Sequence, residues 1–382
     1  MFKKLTELLD SFVGHGTPGC DLVIYHKGRC VYRYFPGFSD EENNIPMNGR
    51  ELYNLYSCSK VITVTAGLIL WERGAFELSD RLEKYMPEFA NMSVRCAEGG
   101  IRPAEKSITV EDLFCMTAGL DYATKVPEIV ELQMVSDGRC ATRDLASYLA
   151  KRPLVFEPGT FWQYSHCHDV LAAFIEVVSG ERFGEFVRKN IFDICGMSNS
   201  TFLLEPERLE EVCPQYWYDA KTKRCNKISK EIYEHKLGSE HESGGAGCVS
   251  TVDDCIKFAE ALRTGRLLKQ TTVDMMTTDR IAGRRGSFWV DNYGYGLGVR
   301  CPLDGSGATD FGWGGAAGAE LFIDRANELT FYFGLHVLRS PVTVRKKVLP
   351  SVIYEALGIV SELNGDHTLT ASQEENAKRY GQ

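Results

Sequence analysis

No Gly-x-Ser-x-Gly occurs anywhere in the sequence, which excludes the nucleophile elbow by which α/β-hydrolases present a serine. There is no Cys-x-x-Cys either, although 13 cysteines are scattered from Cys20 to Cys301, in apolar settings such as Cys115, Cys195 and Cys255. An odd, unpatterned set of that size reads as reduced thiols and favours a cytoplasmic setting, because exported chains normally pair theirs. Positive charge is in short supply. Lys plus Arg number 43 against 52 Asp plus Glu, so no global field exists to hold nucleic acid or an anionic membrane. The longest uncharged, mostly apolar run, residues 61–71, is far shorter than the roughly 20 residues that cross a bilayer. Lys3 and Lys4 suit a signal peptide, but Glu7 and Asp10 interrupt what should be its apolar stretch, so no export signal is read. Internal repeats and low-complexity tracts are missing. The His166-Cys167-His168 run has no further Cys or His at ligand spacing, so neither a metal nor a cofactor is expected.

What is present fills a large core: 44% of the 382 residues are hydrophobic and only 25% charged, a length that suggests two or three structural units. Residues 1–12 have helical spacing and are halted by Gly14, Gly16, Pro18 and Gly19. Two β-rich segments, 21–25 and 30–34, flank Lys27-Gly28 and predict an antiparallel hairpin. From about Ser57 to Arg73 the pattern is a helix apolar on most faces and closed by Gly74, which has to be buried. Helical periods then dominate 107–235, for example 110–116, 141–150 and 168–178. Strand signals return at 246–249, 293–300, 320–323 and 329–335, and a last amphipathic helix spans about 342–357. The expected fold class is therefore α+β, a mostly antiparallel sheet flanked by helices. Residues 1–95 and 240–361 form the sheet domain, 96–239 a mainly helical inserted domain, and 362–382 a polar tail.

Three stretches carry chemistry. Ser57-Cys58-Ser59-Lys60 is the one Ser-x-x-Lys of the chain and opens the buried helix. Three residues apart on a helix, a hydroxyl and an amine lie on one face about 5–6 Å apart at Cβ. Burial disfavours an ammonium, so an amine in such a place can accept a proton near neutral pH. The helix N-terminus adds unpaired N–H groups and partial positive charge where an oxyanion develops. A capping serine followed by a solvated lysine is the plainer alternative, and the apolar run from Val61 to Leu70 argues against it. The second stretch, Phe156-Glu-Pro-Gly-Thr-Phe-Trp-Gln-Tyr164-Ser165-His166, turns at Pro158-Gly159 and brings Tyr164 just ahead of a helix. A phenol beside a lysine can relay a proton; taken alone, a tyrosine there packs. The third, Trp313-Gly314-Gly315-Ala316-Ala317-Gly318-Ala319, lets substrate approach backbone N–H groups or, equally, permits a tight strand crossing.

Taken together and in this order, these motifs resemble the penicillin-recognising serine hydrolase superfamily, which includes class C β-lactamases, D-alanyl-D-alanine peptidases and related esterases. The likeness covers roughly residues 15–360 and extends to Leu55-Tyr-Ser-Cys-Ser-Lys-Val, to Ile108-Thr-Val-Glu-Asp-Leu-Phe-Cys-Met-Thr-Ala-Gly-Leu and to Gly244-Gly-Ala-Gly-Cys-Val-Ser-Thr-Val-Asp-Asp. It implies a β-lactamase/transpeptidase-like fold with Ser57 as nucleophile, Lys60 as base and Tyr164 as proton relay. The backbone N–H groups of Ser57 and Ala316 would form the oxyanion hole. Two departures matter. The usual Tyr-x-Asn is Tyr164-Ser165-His166, which puts His166 in the pocket wall, within reach of substrate. The usual Lys-Thr-Gly or His-x-Gly is Trp313-Gly314-Gly315, which replaces a cationic partner for a substrate carboxylate with apolar surface. Trp-Gly-Gly is similar to the third motif of family VIII carboxylesterases and to that of a fungal acyltransferase acting on a polyketide alcohol.

The expected activity is thus hydrolysis of a small-molecule carboxylic ester through an acyl-enzyme. Transfer to an alcohol or amine, and amide hydrolysis of the β-lactamase or D-amino-acid peptidase type, are the alternatives, along with a binding or sensing role without turnover. The mixed aromatic and basic segment Tyr216-Trp217-Tyr218-Asp-Ala-Lys221-Thr-Lys223-Arg224 is read as a lid or wall of the cleft, not as a nucleic-acid surface. Trp162, Trp217, Trp289 and Tyr293 are the expected apolar lining. No pattern bears on oligomeric state.

Overall fold

Residues 21–34 form the hairpin that their β-rich halves predict, β1 (Asp21–His26) and β2 (Arg29–Tyr34). Lys27 and Gly28 take positive φ, 53° and 72°, between them, the backbone a two-residue hairpin turn demands. The computed structural model describes residues 1–228, 236–286, 288, 290 and 292–360; the expected tail 362–382 and Trp289 lie outside these. Five later strands complete the sheet: β3 (Tyr293–Tyr295), β4 (Arg300–Pro302), β5 (Asp310–Gly314), β6 (Glu320–Asp324) and β7 (Leu329–Gly334). Their order is β3-β4-β5-β6-β7-β1-β2, with every neighbouring pair antiparallel. Because β1 inserts between β2 and β7, with Asp21 opposite Gly334 and His26 opposite Leu329, opposite ends of the chain build one sheet.

Side chains alternate across that sheet as the two-residue period requires. Leu22, Ile24, Phe322, Phe331 and Phe333 face α1 (Lys3–Asp10) and α6 (Leu349–Leu357), packing with Leu5, Leu9, Leu349 and Ile353. Val23, Leu321, Ile323 and Tyr332 point the other way into a larger core, which holds α2 (Ser59–Glu72), α3 (Val110–Cys115), α4 (Cys167–Ser179) and α5 (Val252–Arg263). Helix α2 is surrounded, with residues 59–70 all buried, the consequence of being apolar on most faces. Helix α4 packs along it, and a Cβ at Gly67 would stand 2.7 Å from Phe114 Cζ of α3. The fold is α+β. Among the described residues no helix is long and apolar enough to cross a membrane.

Three expectations need revision. The segment 293–300 is two strands, because the chain turns through Gly296 and Gly298; Gly298 has φ 80°, and a Cβ there would stand 2.2 Å from Val64 Cγ1 of α2. Of the 246–249 region only Val249 is in a strand, Val249–Ser250 paired with Tyr53–Asn54, because the Ala246 and Gly247 N–H groups turn back on the Ser243 carbonyl at 3.4 and 2.8 Å. The last helix is interrupted by a 3-10 turn at Lys346–Val348, after which Pro350 occupies the first turn of α6, where its missing N–H costs nothing. Residues 107–235 also contain a hairpin, Tyr216–Asp219 with Arg224–Lys227, so the Asp-Ala-Lys-Thr-Lys stretch is its turn.

Candidate active site

Ser57 sits in the 3-10 turn Tyr56–Cys58 that leads into α2. The preceding Tyr56 has φ 48°, a left-handed conformation uncommon for a bulky residue, and its hydroxyl bonds Gln215 Oε1 at 3.2 Å. No side chain caps α2, so the capping role that Ser57 might have played is not the one the structure shows. One turn on, Lys60 is 0% exposed, which disposes of the solvated-lysine alternative. Its Nζ lies 3.3 Å from Ser57 Oγ, 3.3 Å from Tyr122 Oη and 2.6 Å from the Gly245 carbonyl. Two phenol rings flank the same amine, Tyr164 at 4.4 Å and Tyr122 at 5.1 Å from their centroids.

Tyr164 donates to Ser57 Oγ at 2.5 Å. Ser57, Lys60 and Tyr164, from two stretches 107 residues apart, therefore share one hydrogen-bonded cluster. The third stretch closes on it from the sheet. The Trp313 carbonyl at the end of β5 accepts from the Cys58 thiol at 3.5 Å, and Gly315 lies so close to the other side of the serine that a Cβ there would stand 2.6 Å from the Leu55 carbonyl oxygen. Gly314 ends β5 opposite Glu320. Ala316 occupies the exposed tip of the turn that the Gly318 N–H closes on the Gly315 carbonyl at 2.9 Å. The Trp313 ring stacks on Tyr164, with centroids 6.0 Å apart and planes at 9°, and meets Tyr295 edge-on at 5.2 Å.

His166, expected in the pocket wall with a hydrogen bond to spare for substrate, is 2% exposed. Both its ring nitrogens are engaged inside the protein, Nδ1 3.0 Å from Asp169 Oδ2 and Nε2 3.3 Å from the Ala123 carbonyl. Burial by itself would raise the Asp169 carboxyl; hydrogen bonds from His166 and Ser243 and the charges of His166 and His241 outweigh it and hold the group below the usual carboxylate range. His168 points away, with Nε2 3.2 Å from the Phe114 carbonyl, and burial followed by the charge of Lys60 pushes it down to about 3.

Of the expected apolar lining, Trp162 is 3% exposed and packs with Tyr295, Phe288 and Tyr164 behind Trp313. Tyr293 instead spends its hydroxyl on Asp310 at 2.6 Å and carries Arg300 over its ring. Trp217 lies on the 216–227 hairpin under the Arg339 guanidinium. All 13 cysteines are unpaired thiols. Cys58, although next to Ser57, is pushed up to about 12 by burial, which leaves it an inert thiol. Among the described residues no group of three or more His, Cys, Asp or Glu could hold a metal ion. Two contributors were not foreseen. Tyr122 stands two residues after the quoted Ile108–Leu120 stretch, where adjacency to a motif was the available signal. The Gly245 carbonyl is a backbone atom without a sequence signature.

These features define a class before they define a relative. The beta-lactamase family model matches residues 5–345; the chain belongs to the beta-lactamase family and is a serine hydrolase of that fold. Esterase EstB of Burkholderia gladioli is 28% identical over 338 residues, 81% of this chain and 83% of EstB. Among solved structures, EstCE1, a hydrolase with promiscuous acyltransferase activity, superposes with a TM-score of 0.74 at 23% identity, covering 92% of this chain and 98% of EstCE1. Simvastatin synthase (LovD) of Aspergillus terreus does so with a TM-score of 0.75 at 22% identity, covering 92% of this chain and 97% of LovD.

Proposed function

We propose that the protein hydrolyses small-molecule carboxylic esters through an acyl-enzyme on Ser57. The observation that carries this reading is the position of Ser57 Oγ, 3.3 Å from the Lys60 amine and 2.5 Å from the Tyr164 hydroxyl. Ser57 Oγ attacks the acyl carbon and its proton passes to the Lys60 amine. The backbone N–H groups of Ser57 and Ala316 take up the negative charge on the carbonyl oxygen. Tyr164 protonates the departing alkoxide and regains its proton from Lys60. Water then attacks the Ser57 ester and gives its proton to the same pair, which passes it to Ser57 Oγ as the acyl–Oγ bond breaks and the acid leaves.

Trp313 in place of a cation supports an uncharged ester over a carboxylate-bearing lactam, as does the name of the relative EstB. The acceptor distinguishes the second reading: an alcohol or amine in place of water gives acyl transfer from the same acyl-enzyme, and the promiscuous acyltransferase activity of EstCE1 favours keeping it. The same proposal retains a sheet domain, 1–95 with 240–361, and a helical domain, 96–239, with the cleft between them. Supporting that division, Ser57, Lys60, Gly245 and Trp313 come from the first and Tyr122 and Tyr164 from the second. Thirteen unpaired thiols support a reducing, cytoplasmic location.

The test is a p-nitrophenol burst from a short-chain ester. It should vanish in Ser57→Ala, and turnover should fall about 10²–10⁴-fold in Lys60→Ala and Tyr164→Phe. Full activity in Ser57→Ala refutes the proposal; rapid nitrocefin turnover by the wild type moves it to amide chemistry, and products formed with added alcohols move it to acyl transfer.

A further inference from the structure

One layer behind the serine lies a buried pair that the proposed chemistry does not use. His166 Nδ1 faces Asp169 Oδ2 at 3.0 Å and Nε2 faces the Ala123 carbonyl at 3.3 Å. Both oxygens are read as acceptors: the Asp169 carboxylate takes hydrogen bonds from Ser243 Oγ and the Gly245 N–H on its other oxygen, and a carbonyl is an acceptor always. Both bonds therefore form together only when both ring nitrogens carry hydrogen. Other titratable groups surround the ring. Tyr122 packs against it at 4.8 Å, His241 Nε2 stands 3.8 Å from the far oxygen of Asp169, and the Asp121 carboxylate is spent on Arg152 at 2.7 and 2.6 Å. From α2, Lys60 lies beyond the Tyr122 ring, and His168 on α4 is turned toward Phe114.

The second oxygen of Asp169 reaches the active site. Oδ1 accepts from Ser243 Oγ at 2.6 Å and from the Gly245 N–H at 3.2 Å. The Gly245 carbonyl accepts from Lys60 Nζ at 2.6 Å, and the Gly244 carbonyl accepts from Thr63 Oγ1 at 2.7 Å. Residues 243–245 are thus clamped between α4 and α2, so tightly that a Cβ at Gly245 would stand 2.8 Å from Asp169 Oδ2 and one at Gly244 2.3 Å from the His168 carbonyl oxygen. What the clamp sets is the direction in which the amine of Lys60 points.

We propose that His166, as an imidazolium paired with Asp169, is a positioning residue that holds the 243–245 segment and through the Gly245 carbonyl aims Lys60 at Ser57. This rests on the reading of Lys60 as the group that takes the serine proton. The pair occupies the place where the resembling family carries Tyr-x-Asn, so the histidine here has turned from the cleft into the wall.

Two measurements on the full chain test it. In ¹⁵N-labelled protein at pH 7.5, long-range imidazole spectra of the 8 histidines, assigned by the signal missing from His166→Gln, should show both His166 nitrogens protonated. One unprotonated nitrogen overturns the proposal whatever the activity. In ester turnover, Asp169→Asn and His166→Gln should lower kcat by about 10–10²-fold with KM within about twofold, since a misplaced reacting group costs rate, not binding. Ser243→Ala removes one bond to Asp169 and should lower kcat by roughly 2–12-fold, which keeps the test decisive where the two stronger variants do not fold. Wild-type kcat in folded Asp169→Asn or Ser243→Ala overturns the positioning role while leaving the Ser57 chemistry, tested separately by Ser57→Ala, intact.

Discussion

Gly315→Ala tests whether the end of β5 is held against the serine turn closely enough to matter. The added Cβ would stand 2.6 Å from the Leu55 carbonyl oxygen, a distance real Cβ atoms do not show, so the gap must open by at least 0.4 Å to reach 3.0 Å. Neither side yields easily. The Leu55 N–H is bonded to the Cys248 carbonyl at 2.9 Å, and the Gly315 N–H to the Ala319 carbonyl at 2.9 Å. Gly315 does not occupy the left-handed region, so alanine is acceptable there in φ and displacement is the main cost. Ser57 lies two residues beyond Leu55 and Ala316 one beyond Gly315, so a shift of that size is delivered directly to the proposed oxyanion donors. Losing a whole donor costs about 2.7–4 kcal/mol, or 10²–10³ in kcat. A displaced donor forfeits part of that, and kcat should fall about 10–10²-fold with KM nearly unchanged. Overpacking should also lower stability by about 1–3 kcal/mol. Stopped-flow ester hydrolysis and urea unfolding read the two effects. Gly314→Ala provides the graded comparison, because its Cβ meets the Ala319 carbonyl oxygen at 3.3 Å and asks for far less movement. A folded Gly315→Ala enzyme with wild-type kcat refutes the assignment of Ala316 to the oxyanion hole.

Trp313→Ala removes an indole stacked on Tyr164 and edge-on to Tyr295, each such pair being worth about 0.5–1.5 kcal/mol; kcat/KM should fall most for bulky apolar esters, and an equal loss for acetyl and octanoyl esters rejects Trp313 as cleft wall. For His168 the sign follows from its lowered position of about 3. Between about pH 6.5 and 3 the unfolded chain binds a proton that the native protein refuses, so stability falls as pH falls, by about 1.4 kcal/mol per pH unit from this group. Urea midpoints from pH 7 to 5 should show His168→Gln losing that part of the slope, and an unaltered slope contradicts it. Gly67→Ala should destabilise by up to about 2 kcal/mol although alanine is the better helix former by about 1 kcal/mol, because its Cβ would stand 2.7 Å from the buried Phe114 ring; a stabilised variant shows that α2 and α3 have room to part.

Relations between residues one turn apart were legible, and relations across the chain were legible only where a motif carried them. Ser57 and Lys60 share a helical turn, so their meeting follows from geometry, and the apolar run behind them already implied that the amine was buried. Tyr164 became visible through the resemblance. Tyr122 reaches the same amine from 62 residues away, and nothing in a single chain marks a phenol for that. His166 shows the converse case. Its spacing of three from Asp169 at a helix start was available, while the family position directed the reading to substrate; in the structure the buried ring has an acceptor on each side. The split of 293–300 has the same origin: Gly296 and Gly298 look tolerable in a strand until Val64 of α2 occupies the space a side chain would need. The reactivity proposed for Ser57 accordingly depends on oxygen atoms that sequence leaves anonymous. Lys60 is aimed by a backbone carbonyl at 245, and that carbonyl is held by a carboxylate on α4, so a residue that never touches substrate can still decide where the serine proton goes.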